Sequence, residues 1–437
     1  MMSIGRNIAN NTHDAICRLV FTFTAAKLLI ILRNKHLFRQ KYVYLHPENQ
    51  KVQPTKQKIL KMKKIVLSVL TALISLSASA IVTVPIKGTI VSAADPHIRY
   101  AGRISFTNPE RPAFNFPGIQ IAAAFEGTSL RMMAKPKSGY FMAQIDNAEP
   151  FKVSFMGERD SVVTIATALP DGKHQVKLMY VIEGYEMYPE FWGFVLDKGK
   201  KLVDAPAFSN RKIEFIGNSI TCGYGNEGLK KEEHFDYATE NHYYSYASIT
   251  ARNLSAQHWV VARSGIGAYR NYNGPKAGNP ESNMLAQYEY IGYAWKPELR
   301  QETSFLKERW DFGRYKPDVI CINLGTNDLS TPNYDQELLK QNYHKLLKMV
   351  RQHNPKAKIV FLTGTMLYNK ECELQKQILD EVATEAQKAG DKKIYRFNME
   401  PINGEKWYGN DWHPNVYMDE KMAGELTAYL RKLMNWN

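Results

Sequence analysis

Three polar stretches, far apart in the chain, carry the residue types needed to attack a carbonyl. The first is Phe215-Ile216-Gly217-Asn218-Ser219-Ile220-Thr221-Cys222-Gly223-Tyr224-Gly225. It follows Arg211–Ile216, an alternating apolar run that reads as a strand. A serine at such a strand end is held at the sheet surface, with the backbone N–H groups around it free to face negative charge. The second is Asp318–Leu324, which reads as a buried strand, followed by Gly325-Thr326-Asn327-Asp328. The third is Asp411-Trp412-His413-Pro414-Asn415, just before the last amphipathic segment. Catalysts and ligands in open parallel sheets gather at the carboxyl ends of strands. A Ser, an Asn and a His placed there supply a nucleophile, a side-chain oxyanion donor and a general base.

Each residue also has a plainer reading. Gly-Asn-Ser can simply cap a helix. Asn327 and, more readily, Asp328 can pin their own loop, and His413 can be a satisfied loop histidine. Cys222 is an alternative nucleophile, although its place after Ser219 suits packing below the site. It is the conjunction of all three stretches, in this order, that points to covalent catalysis.

These blocks resemble the SGNH (GDSL-like) hydrolase superfamily. Ser219 lies in Gly-Asn-Ser where many members have Gly-Asp-Ser, and Gly265 falls in Ala262-Arg263-Ser264-Gly265-Ile266-Gly267. Asn327 falls in Gly-Thr-Asn-Asp and His413 in Asp-Trp-His-Pro. More narrowly, the chain is similar to carbohydrate esterase family 2, the two-domain acetyl-xylan esterases. Upstream Tyr100-Ala101-Gly102-Arg103-Ile104 and Phe116-Pro117-Gly118 carry that likeness as well. The resemblance runs from about residue 97 to the C-terminus. It implies a secreted serine esterase that removes O-acetyl groups from plant cell-wall polysaccharides or oligosaccharides, with no metal or other cofactor. In that reading Ser219 attacks, His413 shuttles the proton, and Ser219, Gly265 and Asn327 hold the oxyanion, with Gly267 the alternative to Gly265. The superfamily places an Asp three residues before the His, and here that position is Asn410. Two arrangements stay open. Asp411 orients His413, or His413 Nδ1 gives its proton to a backbone carbonyl such as that of Trp412, as in Ser–His dyads of the family. Tyr272, Tyr368 and Trp412 are candidates for stacking on sugar, and Trp407 for lining the cleft. A GDSL-type lipase or thioesterase, and a catalytically inactive carbohydrate-binding protein, are the rival functions.

The elements that must position these residues fall into two regions. From 97 to 205 the pattern is short strands and turns, among them Ile119–Ala122, Ser129–Met133, Tyr140–Asn147, His174–Tyr180 and Phe191–Asp197. Such spacing predicts an all-β sandwich, a jelly roll first among sandwiches. Residues 206–437 alternate strand and helix. Strands are expected at Lys212–Ile216, Gln257–Ala262, Asp318–Leu324, Lys358–Thr363 and Lys393–Asn398. Helices are expected at Tyr243–Asn253, Gln336–His353, Glu373–Ala389 and Asp419–Met434. In the second of these helices Leu338, Leu339, Leu346, Leu347 and Val350 make an apolar face. Alternation of this kind gives a three-layer, flavodoxin-like α/β domain with a parallel sheet. The segment 271–312, with Tyr272, Tyr288, Tyr290, Tyr293 and Trp295, is long enough to shape a cleft. Gly265-Ile266-Gly267 lacks the rest of a nucleotide-binding fingerprint.

The formal charge of +14 does not indicate nucleic acid. Residues 1–80 hold 13 Lys+Arg and 2 Asp+Glu, so the remainder carries only +3. Met62-Lys63-Lys64, the apolar run Ile65–Leu76 and Ala78-Ser79-Ala80 read as a secretory signal peptide over 62–80. That reading makes residues 1–61 a spurious N-terminal extension, residues 81–96 a linker, and the mature chain secreted or periplasmic with no membrane span. Leu19–Leu32, broken by Lys27, is short for a membrane anchor. Three cysteines would remain, Cys222, Cys321 and Cys372, with no metal-ligand spacing and no essential disulfide expected.

Overall fold

A strand that buries one face must alternate, and β8 (Gly172–Tyr180) does so: His174, Val176 and Leu178 are buried while Gln175 and Lys177 are exposed. The computed structural model describes residues 86–294 and 298–436. The expected extension, signal peptide and Trp295 lie outside the described residues. The described residues form one unit.

Its first part is two antiparallel sheets. Strands β1 (Thr89–Ser92), β9 (Phe191–Leu196), β4 (Leu130–Ala134) and β7 (Val162–Ala166) lie side by side in that order. The second sheet runs β10 (Leu202–Val203), β3 (Gln120–Gly127), β8, β5 (Gly139–Ile145) and β6 (Phe151–Phe155), with β2 (Arg99–Ala101) also on β3. Phe125, Leu130, Phe141, Phe155 and Phe194 fill the space between the sheets. The expected linker over 81–96 needs correction, because β1 lies within it and pairs with β9 across Thr89–Ser92. The apolar content of that short stretch is too small to mark a strand without its partner.

The second part is a five-stranded parallel sheet in the order β12 (Gln257–Ala262), β11 (Lys212–Gly217), β13 (Val319–Asn323), β14 (Lys358–Thr363), β15 (Ile394–Asn398). Strand order 2-1-3-4-5 is that of the doubly wound, flavodoxin-like class, with its crevice where the order reverses. Alternate residues serve opposite layers. Ile320, Ile322, Ile359 and Phe361 face one core, and Val319, Cys321, Val360 and Leu362 face the other. The first is covered by α3 (Gln336–His353) and α4 (Asn369–Lys388), the second by α2 (Tyr246–Asn253) and α5 (Val416–Met434). The buried stripe of α3 includes Tyr343 in addition to Leu339, Leu346, Leu347 and Val350, while Leu338 is only half-buried. Among the described residues, no helix is long and apolar enough to cross a membrane.

The sandwich is bonded to the sheet through its buried charges. Arg103 is fully buried and donates to Glu214 Oε1 of β11 at 3.1 Å, to the Tyr290 carbonyl at 2.9 Å and to the Tyr288 carbonyl. Tyr288 Oη donates to the other Glu214 oxygen at 3.0 Å, and the guanidinium lies 4.9 Å from the Tyr288 ring centre. Gln120 Nε2 donates to the His258 carbonyl at 3.0 Å. Much of segment 271–312 therefore serves the junction rather than a cleft, since its apolar residues gain more by burial there. Removing one partner of a buried ion pair leaves the other charge unpaired. Arg103→Ala is expected to lower the unfolding free energy by about 3–5 kcal/mol, read by chemical denaturation.

Candidate active site

Ser219 opens α1 (Ser219–Cys222), a single buried turn at the carboxyl end of β11. Asn218 caps it, its side chain accepting from the Ile220 N–H at 3.1 Å. The turn packs close against the strand end: a Cβ on Gly217 would lie 2.0 Å from Thr221 Oγ1. Only glycine allows the helix to start this near the sheet.

His413 arrives from the loop between β15 and α5. Its Nε2 is 2.8 Å from Ser219 Oγ and its Nδ1 is 2.9 Å from the backbone carbonyl of Asp411. A carbonyl only accepts, so Nδ1 carries the proton and Nε2 is left to accept from the serine. The carbonyl in question is that of Asp411, not of Trp412.

The expected role of the Asp411 side chain needs correction. Its carboxylate does not face the imidazole. It accepts from Tyr224 Oη at 3.0 Å, the Phe235 N–H at 2.9 Å and His234 Nδ1 at 3.0 Å. Burial by itself would raise the Asp411 carboxyl, but these three donors outweigh it and hold the group below the usual carboxylate range. The backbone explains the arrangement. Asp411 and Trp412 both have left-handed φ, 47° and 59°, a conformation that L residues adopt at a cost of about 1–2 kcal/mol each. The turn aims the Asp411 carbonyl inward and its side chain outward. Backbone bonds from Asp411 N–H to Glu233 and from Trp412 N–H to Lys231, 3.0 and 3.2 Å, hold it there. Tyr224 completes the support, its ring 4.3 Å from the His413 ring and stacked at 4.2 Å on Phe235. Burial pushes the His413 pKa down from 6.5 to about 4, with the Asp411 carbonyl opposing.

The N–H groups of Ser219 and Gly265 have no hydrogen-bond acceptor among the described residues. Gly265 has φ +75°, which a side chain would strain. The Gly267 N–H is taken by Asn271 Oδ1 at 3.2 Å, so of the two glycines only Gly265 has its donor free. Asn327 gives one amide hydrogen to the Ile266 carbonyl at 2.8 Å and keeps the second. Asp328 pins the loop: it accepts from the N–H groups of Ala268, Tyr269 and Arg270 at 2.8–3.0 Å. Cys222 is buried, and burial raises its thiol well above the usual range, leaving it a neutral packing group. Cys321 and Cys372 are likewise buried and unpaired.

Ser219, His413 and Asn327 line a cleft of about 1150 Å³ together with Tyr272, Tyr368 and Trp412. Those three aromatics are 67%, 39% and 50% exposed, and their gathering in one cleft is the kind of patch that marks a binding site. Trp407 belongs instead to the core under α5, a correction to its expected place in the cleft. Sequence reasoning missed two supports. Tyr224 was part of the nucleophile stretch but signalled nothing by itself. Glu183, whose carboxylate reaches Ser264 beside Gly265, directly follows the apolar run Tyr180–Ile182 at the exit of β8, the one available hint of a paired charge.

Comparison with known proteins agrees with this construction. Residues 100–206 match the carbohydrate esterase 2 N-terminal family and residues 213–426 match the GDSL-like lipase/acylhydrolase family. The chain is 35% identical over 342 residues to a cellulase/esterase, CelE, of Acetivibrio thermocellus, covering 78% of this chain and 40% of that protein's length. It is 27% identical to an acetylxylan esterase/glucomannan deacetylase of Cellvibrio japonicus, covering 77% of this chain and 91% of that one. A solved structure of a family two carbohydrate esterase from Clostridium thermocellum in complex with cellohexaose superposes with a TM-score of 0.69 at 36% identity. It covers 78% of this chain and 100% of that chain. The chain thus belongs to carbohydrate esterase family 2, a family of carboxylic ester hydrolases.

Proposed function

We propose that this protein is an exported serine esterase that removes O-acetyl groups from plant cell-wall polysaccharides or their oligosaccharides by a Ser–His acyl-enzyme mechanism. The observation that carries the reading is the 2.8 Å contact between His413 Nε2 and Ser219 Oγ, beside unused N–H donors. Ser219 Oγ attacks the acetyl carbonyl as His413 Nε2 takes its proton. The negative oxygen is held by the N–H groups of Ser219 and Gly265 and by the Asn327 amide. Collapse breaks the bond to the sugar oxygen, which leaves with the proton from His413. Water then repeats the sequence on the acyl-serine and releases acetate. The Asp411 carbonyl keeps the ring in the productive tautomer throughout, so the charge partner of a triad is replaced by a dipole.

The polar, aromatic cleft suits a glycan rather than a long acyl chain, and the relatives named for xylan and glucomannan support that substrate class. The sandwich reads as a jelly roll. Supporting this, its strands in sheet order β1-β9-β4-β7 and β3-β8-β5-β6 alternate between sheets as two Greek keys do. Export rests on the signal-like segment 62–80, and the exported chain is expected to begin at Ile81 by mass spectrometry. A mature terminus upstream of that point would refute it.

Incubation with acetylated xylan oligosaccharides is expected to release acetate, and short chromogenic acyl esters to be preferred over long ones. Preference for long chains would favour a lipase, and no hydrolysis a binding protein. Ser219→Ala is expected to lower kcat by about 10⁴-fold or more. Asp411→Ala should cost about tenfold, the equivalent of one lost hydrogen bond. Equal losses would overturn the dyad. Because His413 is depressed to about 4, it is neutral and competent above that pH and protonated and idle below. The kcat/KM profile should therefore stay flat from neutral pH into mild acid and fall with an apparent pKa near 4. An acid limb at 6.5 or above would contradict it.

A further inference from the structure

The loop that carries Gly265, Ser264-Gly265-Ile266-Gly267, holds two glycines and has little backbone stiffness of its own. Downstream it is tied by Asn327 and Asp328. Upstream it is tied from another domain. Glu183, at the exit of β8 in the sandwich, accepts from the Ser264 N–H at 2.8 Å and from the Ser264 hydroxyl. Both bonds fix Ser264 directly ahead of the peptide whose N–H belongs to Gly265.

Glu183 is only 2% exposed, and a buried carboxylate survives only with donors or counter-charge around it. The two Ser264 donors and the nearby Arg263 guanidinium provide these. Behind it lies Glu240, fully buried, with one oxygen accepting the Glu183 backbone N–H at 3.0 Å and the other meeting no donor. Ligand atoms of Glu183, Glu240 and Cys222 all fall within 4.8 Å of one another. Burial and the neighbouring Glu183 push the Glu240 carboxyl well up, and burial raises Glu183 too, opposed by its Ser264 bonds and by Arg263.

We propose that Glu183 is a positioning residue for acyl transfer: by clamping Ser264 it aims the Gly265 N–H at the carbonyl above Ser219. The sandwich then contributes to catalysis, not only to binding or stability. This inference rests on the esterase reading above.

The test uses the full chain, a chromogenic acetate, and methylboronic acid, whose tetrahedral adduct on Ser219 places an oxygen where the oxyanion forms. Glu183→Ala is expected to lower kcat about 10- to 100-fold, the penalty of a displaced oxyanion donor, with KM within about twofold. Boronate affinity should fall by the same factor as kcat. Glu183→Gln, which still offers one acceptor, and Ser264→Ala, which keeps the N–H bond and loses the hydroxyl one, should fall between wild type and Glu183→Ala. These two carry the test if Glu183→Ala does not fold. Wild-type kcat and boronate affinity in both would overturn the proposal, as would losses that merely track the folded fraction by thermal unfolding. An inactive wild-type chain would be a different failure, that of the esterase reading itself.

Discussion

A carboxylate shut away from water must find donors, and Glu214 and Glu183 find theirs across a domain boundary. Glu214 lies in β11 of the parallel sheet, yet its ion-pair partner is Arg103 of the sandwich. Glu183 leaves the sandwich, yet its donors are on the loop beyond β12. Separating the domains would strand both charges, and that penalty far exceeds the value of ordinary surface contacts. The junction is therefore fixed, and everything built on it inherits that rigidity.

The site uses this fixed frame economically. Three strand ends deliver Ser219, Gly265 and Asn327 to the crevice where the strand order reverses. The fourth component, His413, comes from an irregular loop and needs more support. It receives it from a strained turn at Asp411 and Trp412, from the chain just beyond the nucleophile, and from the Tyr224 ring. The Asp411 carboxylate is part of this scaffold: it holds the turn rather than the ring. A backbone dipole in place of a carboxylate also leaves the imidazole without an anionic neighbour in contact, which agrees with its depressed pKa.

The substrate side is organised differently. Exposed Tyr272, Tyr368 and Trp412 come from three separate loops and line one cleft with Ser219. These rings and the polar loop around Gly265 are the features on which the proposal of a glycan substrate rests.

Legibility followed the range of the forces involved. Strand and helix positions in the α/β domain were readable because a wholly buried apolar run and period-3.6 burial leave a local imprint, as in Val319–Asn323 and Gln336–His353. Ser219, Asn327 and His413 could be singled out because ester chemistry admits few residue types, and the fold brings all three to one cleft. What the sequence by itself determined was thus the inventory: two regions, and a serine, a histidine and an asparagine that share one cleft. Only the tertiary structure decided the partners. Whether Asp411 presents its carboxylate or its carbonyl depends on a left-handed turn, and whether Glu183 serves Ser264 depends on how two domains pack. Both are set by contacts between residues far apart in the chain, and such contacts leave no periodic mark in the residues that make them.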